Sequence, residues 1–279
     1  MAKLRNIVLI LILAQFWICA LSAEEIPVPE DTLKEFGEAS KKVLDSNEIK
    51  LLVWNLKKGK KPQFREGYLD QCASKDLLIL QEAYLSDSSV DVYQSLNGVF
   101  SSMAISFFDN SGIGTGVMTG SSARPTSIVY QRSEDTEGDG RLTPKIVLLS
   151  KFAFKNKSKE LLVVNIHGLN IVRNGAQRRQ LDEAMKEVNQ HDGPVIFAGD
   201  FNSWGPFRPR NLIKYMAGHG LKEVTYPSNE GRTEGIGVGG FLDHIFVRDL
   251  QVVRSRVRSD WPKNQASDHT ALEAVLSYR

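Results

Sequence analysis

Several apolar runs of this 279-residue chain end in a residue that can bind a metal, a proton or a phosphate. Asn170 and Asn202 lie just beyond two of these ends. The residues at the ends are Asn55, Glu82, His167, Asp200, Asp243, Asp268 and His269. One such ending could be a solvated turn, but strand ends converge in layered α/β folds, and active sites form there. The pattern therefore predicts one polar site built from several strand ends.

The residue types at these positions favour a metal with oxygen ligands. Carboxylates that converge repel each other unless a proton or a cation compensates their charge. Of the two cysteines, Cys19 lies in the apolar N-terminal segment, so Cys72 alone could serve the rest of the chain. Oxygen ligands suit Mg²⁺ or Mn²⁺ better than structural zinc. We therefore expect Mg²⁺ as the cofactor, with Mn²⁺ as an alternative, and a small buried Cys72.

Short β-branched runs and a few helical patterns would position these residues. Strands are predicted over residues 51–55, 77–81, 127–131, 146–154, 161–167, 195–200, 241–247 and 270–276. Apolar residues at helical spacing predict helices over 176–190 and 211–217, and a surface helix over 30–47. Many strands with few helices favour two packed sheets over one doubly wound sheet. We find no repeat and no Pro-, Ser- or Gly-rich linker, so we expect one domain.

Six segments, in their order along the chain, resemble the endonuclease/exonuclease/phosphatase superfamily. They are Val53-Trp54-Asn55, Ile79-Leu80-Gln81-Glu82-Ala83, Val164-Asn165-Ile166-His167, Ala198-Gly199-Asp200-Phe201-Asn202, Leu242-Asp243-His244 and Ser267-Asp268-His269. Each alone would be a weak match, whereas together they span nearly the whole chain after residue 50. The small bacterial YafD-like subgroup is most similar, through Trp54, Gly116-Val117-Met118-Thr119, His167 and Trp204. The resemblance implies an α/β fold, a four-layer α/β/β/α sandwich of two packed mixed β-sheets with outer helices, and metal-dependent hydrolysis of a phosphate ester.

The resemblance also implies which residues hold the metal. Glu82 would be the principal ligand, with Asn55 and Asp268 helping to hold the ion or its waters. This set is sufficient, because Mg²⁺ keeps several waters and takes only one or two carboxylates. The metal would neutralise charge on the phosphate and stabilise the leaving oxygen.

Other matched residues are implied to act on the water and the phosphate. Asp200 and Asn202, two apart in an extended segment, point the same way and would orient the attacking water or the phosphate. Asp243 would hydrogen-bond His269 and favour its charged form. Either Asp200 or the Asp243–His269 pair could take the proton of the water, and the sequence leaves this choice open.

Phosphate contacts are predicted for three further residues. His167 would contact a non-bridging oxygen, with Asn170 assisting. Arg178, near the start of the long predicted helix, could reach a substrate phosphate or could lie on a solvated helix face. His244 follows Asp243 in the strand and should point to the opposite face, outside the site.

The first 23 residues have the composition of a secretory signal peptide. Lys3 and Arg5 precede an apolar run over residues 7–20, and small residues lead to Ala23. An uncleaved membrane anchor is less favoured, because a span needs about 20 apolar residues. We expect a signal peptide over 1–23, a helical lead-in over 24–48 and the endonuclease/exonuclease/phosphatase domain over 49–279. The mature protein would be secreted or periplasmic, without stable membrane insertion.

The mild basicity of the chain does not by itself indicate a nucleic-acid partner. Its formal charge of +2 comes from 35 basic and 33 acidic residues, and Lys3 and Arg5 belong to the predicted signal peptide. Affinity for a polyanion must then come from local features. Arg254, Arg256 and Arg258 alternate along a predicted strand and could track a nucleic-acid backbone. They could equally protect a solvated sheet edge with charge.

The expected activity is that of an exported metal-dependent phosphodiesterase, and we place a DNase-like endonuclease first. A phospholipid phosphodiesterase of the sphingomyelinase type or a phosphomonoesterase would use the same chemistry, and a non-catalytic binding module is a third alternative. No nucleotide cofactor is expected, because the glycines at 235–240 precede a strand, whereas a dinucleotide site joins a strand to a helix. The expected partner is a phosphodiester substrate, nucleic acid above all, and the protein is expected to be a monomer.

Overall fold

A computed structural model of the protein describes residues 24–279 except 138–142, 171, 173, 205–207, 236–238 and 262–263. The predicted signal peptide over residues 1–23 lies outside the described residues. Within them, thirteen strands form one seven-stranded and one six-stranded sheet. No helix of this part of the chain is both long and apolar enough to span a membrane.

Seven strands form the first sheet. They are β1 (Leu33–Phe36), β2 (Ile49–Asn55), β3 (Leu77–Tyr84), β4 (Phe100–Phe108), β5 (Gly114–Ser121), β12 (Gln251–Val257) and β13 (Leu272–Ser277). Their spatial order is β1-β4-β5-β3-β2-β13-β12. The neighbours β2 and β3 run parallel, and the other neighbours are antiparallel. The carboxyl ends of β2 and β3 therefore meet at one edge of the sheet.

Six strands form the second sheet. They are β6 (Ser127–Thr136), β7 (Pro144–Phe152), β8 (Leu161–His167), β9 (Val195–Asp200), β10 (Lys222–Glu223) and β11 (Asp243–Arg248). Their spatial order is β10-β11-β9-β8-β7-β6. Again one central pair, β8 and β9, is parallel and the other neighbours are antiparallel. Both sheets are thus mixed, and each brings two strand ends together.

Helices cover the outer face of each sheet, which gives the four predicted layers. The helices α2 (Phe64–Cys72) and α3 (Asp87–Gln94) pack against the first sheet, and α4 (Asn174–Gln190) and α5 (Arg208–Gly218) pack against the second. A fifth, α1 (Pro29–Thr32), is a single turn that precedes β1. The predicted buried environment of Cys72 is confirmed, since it is 1% exposed in the core under α2. The two packed mixed sheets and their outer helices confirm the predicted fold class.

The central strands are buried on both faces, which explains why the sequence reads as continuous apolar runs. Successive side chains of a strand point to opposite faces. In β2, Leu51 and Val53 accordingly belong to the core between the sheets, and Leu52 and Trp54 to the core under the helices. Burial of each such side chain contributes about 1.5–3 kcal/mol, which holds the strands that end in the polar residues firmly in place.

The helix predicted over residues 30–47 is wrong. Only the turn α1 is helical there, and β1 pairs antiparallel with β4 in the register Leu33↔Ala104. Gly37 ends this strand with φ of 72° in close contact with Val99, where a side chain would not fit. Leu44, which matched the helical spacing, is buried between the sheets instead. The expected helical lead-in over 24–48 therefore adds a strand to the first sheet.

Candidate active site

Three of the predicted residues form one row across the second sheet. In the register of the strands, Asp200 of β9 lies opposite His167 of β8 on one side and Asp243 of β11 on the other. Residues paired in this way have their side chains on the same face of the sheet. All three residues are buried: His167 is 6% exposed, Asp200 is 2% exposed and Asp243 is 1% exposed. The strand pairing itself thus brings an imidazole and two carboxylates together.

The first sheet supplies Asn55 and Glu82 from the ends of its parallel strands. Asn55 is paired with Gln81, and the register with β5 shifts between Leu80 and Ala83, so that a bulge falls at Glu82. Glu82 has a left-handed φ of 48°. For a non-glycine residue this conformation costs about 1–2 kcal/mol, and such strain clusters at functional sites. The bulge redirects the chain at Glu82. The Glu82 carboxylate accepts a hydrogen bond from Asn55 Nδ2 (3.1 Å).

Asp200 lies at the centre of the site. Its Oδ2 accepts a hydrogen bond from Asn55 Nδ2 at 3.0 Å, and its Oδ1 accepts one from the backbone N–H of Asn202 at 2.9 Å. Burial raises the pKa of Asp200 to about 6, with the Asp243 carboxylate adding to the rise and His269 and the two hydrogen bonds opposing it. A carboxylate of this kind can exchange a proton near neutral pH.

His269 and Asp243 form the predicted pair. His269 Nδ1 lies 2.8 Å from Asp243 Oδ2, and His269 Nε2 lies 3.9 Å from Asp200 Oδ2. Burial alone would lower the pKa of His269, but Asp243, Asp200 and Asp268 together raise it to about 10. The backbone carbonyl of His269 accepts a hydrogen bond from the Trp54 indole (2.8 Å), which anchors the loop. His269 is therefore a fixed imidazolium that faces Asp200.

Asp268 shows the bonding of a carboxylate that can bind a cation. Its Oδ2 lies 2.9 Å from Lys57 Nζ, whereas its buried Oδ1 has no hydrogen-bond donor among the described residues. A buried acceptor without a donor is unfavourable by about 1–3 kcal/mol. The same is true of Asp243 Oδ1. Oxygen atoms of this kind, with Glu82 nearby in the same cleft, are suited to a divalent ion.

A second group could also hold an ion. One ligand atom from each of Asp200, Asp243 and His269 lies within 4.8 Å of the others. In this group, however, the Nδ1 of His269 is already engaged with Asp243. The predicted set of Asn55, Glu82 and Asp268 leaves that pair intact, and Asp268 adds to it a buried oxygen without a donor among the described residues.

His167 and the two asparagines complete the predicted set. Burial, with Lys145, His269 and other cations nearby, holds the pKa of His167 well below its ordinary value of 6.5, so its ring is neutral. Asn202 adopts a φ of 47° and donates from Nδ2 to the Gly168 carbonyl (2.9 Å). Asn170 Oδ1 accepts a hydrogen bond from the Trp204 indole, and its side chain also lines the cleft.

The sequence model of the Endonuclease/Exonuclease/phosphatase family matches residues 52–269, which include all of these site residues. The chain belongs to this family. A UPF0294 protein of Vibrio campbellii is 34% identical over 232 residues, which cover 82% of this chain and 78% of that protein. A UPF0294 protein of Photorhabdus laumondii is 30% identical over 231 residues, covering 82% and 84%. The predicted family is therefore confirmed.

Several solved structures share the fold. A family protein from Leptotrichia buccalis has a TM-score of 0.61 at 15% identity and covers 82% of this chain and all of its own. The human Nocturnin catalytic domain with a bound sulfate anion has a TM-score of 0.60 at 17% identity and covers 91% of this chain and 99% of its own. The two-sheet architecture is thus retained at low sequence identity.

The structure places Arg178 outside the cleft. Its guanidinium pairs with Asp182 at 2.8 Å, one turn further along α4, and lies 4.0 Å from the ring centroid of Tyr215 on α5. The side chain is 58% exposed. The predicted contact of Arg178 with a substrate phosphate is therefore corrected in favour of the solvated helix face. A helical periodicity alone does not determine which side of the helix faces a site on another layer.

The row of arginines on β12 and at the residue that follows it likewise lies at a sheet edge. Arg256 Nε lies 2.6 Å from Glu273 of β13, and Arg254 is exposed near Glu48. Arg258 is 5% exposed and bonds to three carboxylates at 2.8 Å. We call Arg256, Arg258, Asp70, Asp260 and Glu273 the edge cluster. Of the two alternatives, the structure favours an edge protected by charge.

Four lysines in the cleft were missed in the sequence. Lys57, Lys58 and Lys60 follow Asn55 in a short 3-10 turn, and Lys145 lies on β7. All four line a cleft with a volume of about 540 Å³. Lys145 Nζ pairs with Glu137 at 3.2 Å, and Lys57 pairs with Asp268. The run Lys57-Lys58-Gly59-Lys60-Lys61, directly after a predicted site residue, was the available signal.

A buried polar network behind the cleft was also missed. His244 points away from the cleft, as predicted, and its Nδ1 lies 2.6 Å from Glu223 Oε1 while its Nε2 lies 2.9 Å from Ser203 Oγ. Arg232 Nη2 donates to Glu223 (3.1 Å) and to the Asp243 carbonyl (2.7 Å). Because Ser203 follows Asn202 and His244 follows Asp243, this network holds the backbone of two site segments from the opposite face.

Proposed function

We propose that this protein is a divalent-metal-dependent phosphodiesterase that cleaves nucleic acid as a DNase-like endonuclease. The observation that carries the proposal is the cleft arrangement of a buried carboxylate, Asp200, opposite an imidazolium, His269, that is fixed by a second carboxylate, Asp243. A general base and a cation that face each other across a cleft suit attack of water on a phosphodiester. The family acts on phosphoric esters, and its proteins share this fold.

Asp200 is the general base in this proposal. Its two oxygens are fixed by Asn55 and Asn202, so a water beside Oδ2 would be held in one orientation. His269 is surrounded by the carboxylates of Asp243, Asp200 and Asp268 and keeps its proton, so it cannot take another from the water. Its Nε2 proton instead stabilises the negative oxygen of the phosphate in the transition state. Of the two general bases that the sequence left open, Asp200 is therefore favoured over the Asp243–His269 pair.

A Mg²⁺ ion, or Mn²⁺ in its place, would be held by Glu82 and Asp268 with the help of Asn55. When bound, it would supply charge neutralisation at the phosphate and at the leaving oxygen. The neutral ring of His167 can donate a hydrogen bond to a non-bridging oxygen from the other side of Asp200, since the two lie opposite each other in the strand register. Asn170 and Asn202 line the same wall and would orient the phosphate.

We further infer that the chain is exported and acts as a monomer. The support for export is the sequence of residues 1–23, with a basic start, an apolar run and a small-residue exit. Expression with the full leader, followed by mass determination of the N terminus, tests export. Size-exclusion chromatography of the mature protein tests the monomeric state. Cleavage near Ala23 and elution as one chain are expected.

The activity is tested with four substrates, each with Mg²⁺ and with EDTA. Plasmid DNA, RNA, sphingomyelin and bis(4-nitrophenyl) phosphate are offered to the wild-type protein, to Asp200→Asn and to the matched control Arg178→Gln. We expect plasmid nicking that requires the metal, is lost in Asp200→Asn and is retained in Arg178→Gln.

Each other outcome identifies a different function. Turnover of sphingomyelin alone would move the protein to the phospholipid branch. A folded protein that turns over none of the four substrates, yet binds DNA, would indicate a binding module. Nicking by Asp200→Asn at the wild-type rate would contradict the assignment of the general base.

A further inference from the structure

Two lysines on one wall of the cleft differ from the other two in their partners. Among the described residues, neither Lys58 nor Lys60 has a carboxylate within ion-pair distance. Each lies over an aromatic ring instead, Lys58 Nζ at 5.5 Å from the centroid of Phe107 and Lys60 Nζ at 5.9 Å from that of Tyr84. A ring face supports the ammonium group without using its hydrogen-bond donors. Both lysines can therefore still bind an anion.

The loop that carries these lysines is fixed from both ends. The backbone N–H of Lys57 donates to Asn55 Oδ1 at 3.0 Å, and that of Leu56 donates to the Gln81 carbonyl at 2.8 Å. The backbone N–H of Lys60 donates back to the Lys57 carbonyl. Lys57 and Lys58 both adopt left-handed φ angles, of 51° and 56°. Two consecutive strained residues persist only where the surrounding bonds hold them, so the backbone that carries both lysines is fixed beside the site.

We propose that Lys58 and Lys60 form a subsite for the phosphates of a nucleic-acid strand that flank the phosphate being cleaved. This inference rests on the proposed function and names what its substrate must contain. A polynucleotide carries a phosphate at every nucleotide, whereas sphingomyelin has only the phosphate that reacts. Lysine binds phosphate as a point charge and reads no base, so the subsite would act on any sequence.

The surroundings of Lys58 support an anionic partner. The side chain is half-buried beside Phe107, and this burial lowers its pKa, with Lys60 adding to the change and the carboxylates of Glu82, Asp109 and Glu24 opposing it. An ammonium group that has lost part of its water gains more from a bound phosphate than one in bulk solvent. Lys60 has no carboxylate of the described residues within ion-pair distance. The phosphates of a bound strand would provide the negative charge that pairs with it.

The test compares substrates with one and with several phosphates. The variants are Lys58→Gln, Lys60→Gln and the double variant, and Lys61→Gln is the matched control, because Lys61 belongs to the same run but does not line the cleft. For each, kcat/KM is measured for a short single-stranded oligonucleotide and for bis(4-nitrophenyl) phosphate over a range of salt concentrations.

We expect the ratio of the two kcat/KM values to fall about tenfold in the double variant and to stay at the wild-type value in Lys61→Gln. The slope of log kcat/KM for the oligonucleotide against log salt should fall by about 0.7 for each lysine removed. An unchanged ratio in the double variant, or an equal fall in Lys61→Gln, would overturn the subsite.

A binding measurement separates the subsite from the proposed function. Fluorescence anisotropy of a labelled oligonucleotide in EDTA requires no turnover, and the double variant should bind about tenfold more weakly than wild type and Lys61→Gln. Equal binding by all variants would overturn the subsite even if the protein hydrolyses DNA. Weaker binding without hydrolysis of any substrate would leave the subsite in place and refute the nuclease.

Discussion

The cleft and the edge cluster contain the same kinds of charged residue, but the charges are paired differently. In the edge cluster, the buried guanidinium of Arg258 bonds to three carboxylates at 2.8 Å. Glu273 in turn accepts from two arginines and from Lys75. In the cleft, buried oxygens of Asp243 and Asp268 have no donor among the described residues. The edge is complete by itself, whereas the cleft is not.

Two carboxylates illustrate the difference through opposite pKa shifts. Both are subject to burial, which raises a carboxyl pKa. For Glu273, the bonds to Arg256, Arg258 and Lys75 overcome burial and lower the pKa to about 2. For Asp200, burial prevails and the pKa rises to about 6. A cluster of charges therefore indicates a functional site when its members are left short of partners, and a structural one when they are not.

The largest effect is expected in the cleft, from Asp243→Asn. The amide keeps the shape of the side chain but removes the charge that holds His269 protonated, so kcat should fall by about 10²–10⁴-fold. NMR of the His269 ring should show its pKa moving from about 10 toward its ordinary value of 6.5. Activity within threefold of wild type would show that the cleft does not depend on this pair.

The next effect is expected at the edge, from Arg258→Met. Removing this guanidinium leaves Glu273 with Arg256 and Lys75 only, whereas Asp70 and Asp260 are 55% exposed and regain water, so we expect a loss of about 1–3 kcal/mol. Urea unfolding should show the loss, while kcat of the folded variant stays within twofold of wild type. A comparable fall in kcat would mean that the edge cluster contributes to catalysis, and the comparison would fail.

A smaller, pH-dependent effect is expected from Glu273. Its folded pKa of about 2 lies below its ordinary value of 4.5, so its contribution to stability is complete above pH 4.5 and is lost as the pH falls toward 2. After allowance for solvent screening, we expect about 1–2 kcal/mol. The difference in unfolding free energy between wild type and Glu273→Gln should shrink across this interval. A constant difference from pH 6 to pH 2 would contradict the pairing.

The smallest effect is expected from Arg254→Gln. This side chain is 67% exposed and lies 3.9 Å from Glu48, so its removal should change the unfolding free energy by less than about 0.5 kcal/mol. The Arg254→Gln variant should bind an oligonucleotide with the same affinity as wild type. A several-fold loss of affinity would restore the alternative in which the arginine row follows a nucleic-acid backbone.

Much of the fold could be predicted because each strand is defined by its own residues. The bounds of β8 and β9 match the predicted 161–167 and 195–200. Asn55 and Glu82 come together because β2 and β3 are parallel neighbours, and His167 and Asp200 because β8 and β9 are. Asp243 reaches the same row from the first residue of the antiparallel β11. The helix predicted for the N-terminal segment was wrong because β1 is not defined by its own residues. It is held by pairing with β4, which lies some seventy residues away in the sequence.

What the sequence could not provide depends on backbone conformation and on neighbours from other strands. The bulge at Glu82 and the left-handed Lys57 and Lys58 have no local sequence signature, because neither residue type favours a positive φ. The pairing of Arg258 depends on Asp70, nearly two hundred residues away. Motif reasoning found residues that gather in the cleft, but not the lysine loop beside them.

The most direct test removes one carboxylate charge from each region and measures two quantities. Asp200→Asn and Glu273→Gln are compared at pH 7.5 for Mg²⁺-dependent hydrolysis of bis(4-nitrophenyl) phosphate and for thermal unfolding. We predict that Asp200→Asn loses at least about 10³-fold in kcat and keeps or raises Tm, because a buried charge has been removed, whereas Glu273→Gln keeps kcat and loses Tm. Full activity in Asp200→Asn, or a loss of kcat in Glu273→Gln equal to that in Asp200→Asn, would contradict the assignment of the cleft as the catalytic site.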